Sequence, residues 1–187
     1  MYSTSILSIK QHKDGITIEY KENAYINYIL DFLTNFSIKH THKKNNIFIT
    51  CNSSQTLIDL QKQFNYIIPH HIVGNICHQL SSQIQYIHQK DCIIDRIYRK
   101  DFIILNESIF LYVGAHHIKP ITSSNITIYD NFYSFGVFLI KLLLNKDVTN
   151  DKYKLHKVIE PIYYTPIYWT LLRCMDETPE NRVLLYI

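Results

Sequence analysis

The sequence predicts an α+β fold, with a small β-rich layer over residues 1–51 and a mainly helical body over 52–187, together forming one domain. Three observations carry that expectation. Apolar and polar residues alternate around Lys13-Asp14-Gly15, and Asp-Gly between alternating runs signals a hairpin. Further on the apolar spacing becomes helical, with Ile72, Val73, Ile76, Leu80, Ile84 and Ile87 on one stripe. Asn131–Leu144 is almost wholly apolar, as in a helix covered on most sides.

In chain order, Ile6, Leu7 and Ile9 form a first strand, and Ile16, Ile18 and Tyr20 its partner. Ile26, Ile29, Leu30 and Leu33 share one face of a helix over Asn23–Phe36. Ser37–His42 and Ile47–Cys51 read as a second strand pair around Lys43-Lys44-Asn45-Asn46. Asn52-Ser53-Ser54 offers an N-cap to a helix bearing Leu57, Leu60, Gln61 and Phe64, and Pro69 opens a longer helix. Ile93-Ile94, Phe102–Leu105 and Ile109–Val113 are short strands. Asn131–Leu144 is the most buried helix, with Phe135, Val137, Leu139 and Leu142 or Leu143 in its contacts. Tyr168–Met175 and a short closing segment, Pro179–Ile187, complete the helices.

Composition excludes several function classes. The chain is 47% hydrophobic, 13% aromatic and 19% charged, which favours collapse over disorder. No apolar run approaches the roughly 20 residues of a membrane span, and Met1–Ser5 does not open a secretory signal. Cys51, Cys77, Cys92 and Cys174 form no CxxC pair, so free thiols in a reducing, cytoplasmic setting are expected. A formal charge of +3, with the densest basic stretch only His40–Lys44, argues against nucleic acid. The four glycines, Gly15, Gly74, Gly114 and Gly136, stand far apart, which removes every glycine-rich phosphate loop.

Ten histidines raise the question of a metal. His70-His71 and His116-His117 are adjacent pairs, whose side chains diverge on regular structure, and Cys77-His78 flanks the buried stripe. Only His40 and His42 share a strand face, and zinc normally wants three or four converging ligands. No metal and no cofactor are expected.

The order of elements and four local patterns resemble the protein kinase fold. Gln79–Lys90 resembles the long helix that leads into a kinase catalytic loop, and Cys92–Leu105 has the length and apolar frame of that loop. Asn131-Phe132-Tyr133-Ser134-Phe135-Gly136-Val137 is close to the D-V-Y-S-F-G-V opening of the family's central buried helix. Leu171–Met175 through Pro179-Glu180-Asn181-Arg182 resembles the family's closing helix pair with its arginine. The resemblance runs from about Asn52 to Ile187 and implies a reduced N-lobe before a helical C-lobe.

The same resemblance assigns the catalytic positions. In the family's H-R-D-x-K-x-x-N loop the Asp accepts the substrate hydroxyl's proton and the Asn holds Mg²⁺. Here those positions hold Ile97 and Phe102, with Asp95 at the His position, Arg96 kept and Arg99 at the Lys position. The D-F-G triplet aligns with Tyr112-Val113-Gly114, which keeps only the glycine. Lys21 is the candidate for the ATP-pairing lysine, but the following helix offers Asp31 and, at its start, Glu22. Lys21 is therefore read as a solvated strand-end lysine. Ala115–Asp130 is short and holds no A-P-E platform.

Asp95 is read as a hydrogen-bond acceptor shaping its loop and Asp101 as an exposed turn residue. Arg96 is expected to bond nearby carbonyls or Asp95, and Asn131 to brace the Asp95-Arg96 turn. Tyr163-Tyr164 and Tyr168-Trp169 are expected to be core or half-buried filler, although an exposed group there would mark an interface. The resemblance therefore implies a truncated pseudokinase: a protein-binding scaffold, decoy or allosteric regulator whose partner is an active kinase or its substrate. Tight binding of ATP and Mg²⁺ is not expected. The alternative is a divergent kinase or nucleotide-binding enzyme using Asp95 or Asp101.

Overall fold

Alternation around the first turn produces an antiparallel hairpin, β1 (Ile6–His12) and β2 (Gly15–Tyr20). In the computed structural model, which describes residues 6–21, 26–123, 126–146, 148 and 152–184, the turn itself is Lys13-Asp14, because His12 pairs with Gly15. Gly15 has a different task from the one its Asp-Gly context suggests. A Cβ there would lie 2.1 Å from the Ile49 carbonyl oxygen, so the glycine lets β2 lie against β4.

Helix α1 (Ile26–Asn35) follows, then the hairpin β3 (His40–Lys43) and β4 (Asn46–Thr50). The four strands form one sheet in the order β1-β2-β4-β3. Ile16, Ile18 and Tyr20 alternate inward from β2 and meet Ile47 and Ile49 of β4 and Ile29 and Leu33 of α1.

The helical body starts later than its serines suggest. Ser54–Thr56 is a strand, β5, and the cap of α2 (Leu57–Gln63) is Thr56, whose hydroxyl accepts from the Asp59 N–H at 3.1 Å. The 19-residue helix α3 (His70–His88) opens after Pro69 and buries its apolar stripe. Strands β6 (Cys92–Ile94), β7 (Phe102–Leu105) and β8 (Ile109–Tyr112) come next, with β9 (Ile118–Pro120) pairing β6. The last helices are α4 (Ile128–Leu144), α5 (Lys152–Ile159) and α6 (Pro166–Cys174). The closing segment is a 3-10 turn, Pro179–Asn181, rather than a helix to the end; residues 185–187 lie outside the described residues.

The β7–β8 ribbon joins two cores. Phe102, Ile104, Phe110 and Tyr112 face the helical core with α3, α4 and α6, whereas Ile103, Leu105, Leu111 and Val113 face the β-sheet core. Period-two alternation in a strand buried on both faces does this directly. The outer edge of β8 is closed by glutamines of α3. Gln79 Oε1 accepts from the Phe110 N–H and Gln83 Oε1 from the Tyr112 N–H, each at 2.8 Å. A ribbon anchored this way fixes the loops at its two ends.

Helix α4 crosses the helical core with Phe135, Leu139, Ile140 and Leu142 fully covered, and Val137, half-buried, packs against the same core. It is not the most buried helix, as the sequence suggests, because α3 and α6 cover at least as large a share of their residues. Among the described residues, no helix is long and apolar enough to cross a membrane.

Candidate functional site

The loops around β6, β7 and β8 gather most of the positions that the sequence singles out. Between β6 and β7 the chain runs through Asp95, Arg96, Ile97 and Tyr98 into a 3-10 turn, Arg99–Asp101. After β8 it passes Val113 and Gly114 into a second 3-10 turn, Ala115–His117. The two turns meet: the Val113 N–H donates to the Asp101 carbonyl at 2.8 Å, and the Asp95 N–H to the His117 carbonyl at 2.8 Å.

Two of the kinase-aligned chemical positions are used for packing. The Phe102 ring is fully buried, stacked on Phe138 at 5.1 Å and edge-on to Tyr112 at 5.3 Å. The Tyr112 hydroxyl donates to the carbonyls of Arg96 (3.3 Å) and Gly114 (3.2 Å), and burial holds its pKa well above the usual phenol range. Ile97 is half-buried against the helical core. Gly114 is held by close approach, since a Cβ would lie 2.4 Å from the Tyr112 hydroxyl and 3.0 Å from Asp101 Cβ.

Asp95 is occupied on both oxygens. Its Oδ1 accepts from His117 Nδ1 at 2.8 Å, and its Oδ2 pairs with Lys119. Arg96 is exposed and donates to the Tyr98 hydroxyl at 3.3 Å. Asn131, fully buried on α4, donates through Nδ2 to the Ile94 carbonyl at 2.7 Å and meets His88 Nε2 through Oδ1 at 3.0 Å. Burial lowers the His88 pKa, partly opposed by that bond.

Ser134 lies on the wall of a 480 Å³ cleft beside Asp95, Ile97 and Tyr98, whose other side includes Lys141 and Lys146. Gly136 brings α4 against α6, with a hypothetical Cβ only 2.5 Å from Met175 Cγ. Arg182 donates to the Asp176 carbonyl at 2.8 Å and lies over the Tyr133 ring at 4.9 Å. Lys21 is exposed just past the end of β2, and Asp31 is exposed on α1. Glu22 lies outside the described residues.

Two expectations are overturned here. Asp101 is no exposed turn residue: it is 1% exposed, because its 3-10 turn points it inward beneath the second turn. Burial pushes its carboxyl up to about 6. The His116 and His117 rings do not diverge either. A 3-10 turn brings their centroids to 3.8 Å, tilted at 44°. Burial, with His117 beside it, pushes His116 down to about 4, and burial also lowers His117. Asp101, His116 and His117 each offer a ligand atom, all within 4.8 Å of one another. Periodicity could not find this cluster, because it is built from two irregular turns distant in sequence. The aromatic segment departs in part from the core or half-buried filler expected of it: Tyr163 (50%), Tyr164 (76%) and Trp169 (45%) are exposed, and only Tyr168 is core.

No protein-family model matches the chain, and no curated protein matches it.

Proposed function

We propose that this chain is a protein-kinase-like domain without phosphoryl-transfer chemistry, working by binding another protein as a scaffold, decoy or allosteric regulator. One observation carries the reading. The three positions that the resemblance gives to proton acceptance and metal binding hold Ile97, Phe102 and Tyr112, and the last two are consumed by packing and by hydrogen bonds to carbonyls. Phosphoryl transfer rests on positioning and on neutralising charge with metal, and these side chains supply neither. Asp95, the nearest carboxylate, is already engaged by His117 and Lys119.

A binding role is supported by an exposed aromatic group. Tyr163 packs against Tyr164 at 4.1 Å and Tyr168 at 4.7 Å, and Tyr168 meets Trp169 at 5.1 Å. Exposed aromatics of this kind anchor protein interfaces. The test has two arms. Purified protein with labelled ATP and Mg²⁺ transfers no phosphate to itself or to generic substrates, and Mg·ATP leaves the unfolding midpoint unchanged. Phosphate incorporation that disappears in Asp95→Ala overturns the proposal. The other arm crosslinks the protein in its native cells, where a partner held by the natural sequence is lost from a Tyr164→Ser/Trp169→Ser variant of unchanged stability.

A further inference from the structure

A buried pair of acceptor atoms stands unexplained by any hydrogen bond. Asp101 Oδ2 and His117 Nε2 face each other at 3.6 Å, too far for a hydrogen bond, and neither has a hydrogen-bond partner among the described residues. Asp101 is 1% and His117 7% exposed. The His117 tautomer follows from its other nitrogen. Asp95 Oδ1, a carboxylate oxygen 2.8 Å from Nδ1, takes the hydrogen bond of that nitrogen, so in the neutral imidazole the proton sits on Nδ1 and Nε2 keeps its lone pair. Two lone-pair atoms thus confront one another in a buried space, where an unsatisfied polar group is costly. A cation between them reverses the sign of that interaction.

The chemistry of the donors selects the cation. Two imidazoles and one carboxylate suit a borderline metal, whereas Mg²⁺ and Ca²⁺ prefer sets of oxygens. Tetrahedral Zn²⁺ with bonds of about 2.0–2.1 Å holds neighbouring ligand atoms about 3.4 Å apart, close to the observed 3.6 Å. With His116, all three ligand atoms lie within 4.8 Å, so small side-chain rotations complete the set. Asp95 on His117 Nδ1 reproduces the carboxylate–histidine–zinc arrangement that orients such ligands.

We propose that Asp101, His116 and His117 form a Zn²⁺ site with three protein ligands and a fourth position for water or another small ligand. The ion clasps the turn Arg99–Asp101 to the turn Ala115–His117. It is separate from the magnesium positions of the kinase resemblance, which hold Phe102 and Tyr112, and it rests on no part of that resemblance.

The full chain, stripped with a chelator, is titrated with Zn²⁺ against a chromogenic competitor and, separately, with Co²⁺. One equivalent of Zn²⁺ is expected, with a higher unfolding midpoint and visible Co²⁺ bands of a low-coordinate site. Asp101→Asn and His117→Gln abolish the stoichiometric binding. Asp95→Asn weakens it about 10–100-fold through the orientation of His117. His70→Gln/His71→Gln, in the exposed pair, changes nothing. Should the buried variants not fold, His116→Gln at the half-buried ligand is decisive: loss of the Co²⁺ bands supports the site, and full retention overturns it. Binding only beyond one equivalent, or binding insensitive to His116→Gln, also overturns it.

Discussion

Asn131 reaches from the start of α4 to the carbonyl of Ile94, 2.7 Å from Nδ2 and 37 residues away in sequence. That bond ties α4 to the strand leading into the Asp95 loop. Asn131→Ala leaves the Ile94 carbonyl unsatisfied in a closed interior and frees His88. The expected loss is about 1–3 kcal/mol, measured by urea unfolding against the natural sequence. Asn131→Asp also fails to restore the bond to Ile94, because a carboxylate cannot donate.

His88 makes stability fall on the acid side. Its folded-state pKa is lowered by burial, so above about 6.5 both states are neutral and nothing is linked to pH. As pH falls below that value, the unfolded chain takes up a proton that the folded chain resists, and stability declines. His88→Gln removes this contribution. Unfolding free energies from pH 7 down to the folded-state pKa fall less steeply in the variant than in the natural sequence. Parallel curves contradict the assignment.

Phe135 is fully buried between α4's neighbours in the helical core. Phe135→Ala removes a ring and leaves a cavity that packed helices close only in part, costing about 3–5 kcal/mol. Chemical denaturation of the variant reads this directly, and a loss under about 1 kcal/mol contradicts the buried placement of α4.

Long periodic segments are legible in the sequence and irregular ones are not. The stripe from Val73 to Ile87 and the apolar run through Leu139 mark α3 and α4, because burial of a helix face imposes its own spacing. The start of α4 lies upstream of the expected Asn131. Thr127 and Asp130 form a reciprocal capping box that begins the helix at Ile128, a signal present in the sequence but overshadowed by the Ser-Phe-Gly motif. Strand β9 and helix α5 escape a reading by period, since Ile118–Pro120 is too short to show alternation and Lys152–Ile159 is a short, mostly polar segment of about two turns. At the candidate site, Asp95 and Asn131 are legible as structural acceptor and brace. Asp101, His116 and His117 cannot be grouped from sequence, because their convergence depends on two 3-10 turns whose geometry no periodic pattern records.

Gly136 provides the sharpest test of how α4 and α6 meet. In an exposed helix interior, Gly→Ala gains about 1 kcal/mol by restricting the unfolded chain. At this position the new methyl would lie 2.5 Å from Met175 Cγ and 2.8 Å from Met175 Sδ, and Met175 is itself 4% exposed with little room to retreat. Overpacking of that kind costs about 1–3 kcal/mol, so the collision outweighs the propensity gain and Gly136→Ala is a net loss. In a Met175→Ala background the obstructing atoms are gone, and the same substitution becomes stabilising by up to about 1 kcal/mol. A double-mutant cycle measured by urea unfolding therefore gives a coupling of about 1–3 kcal/mol. Additive effects of the two substitutions would show that Gly136 does not face Met175.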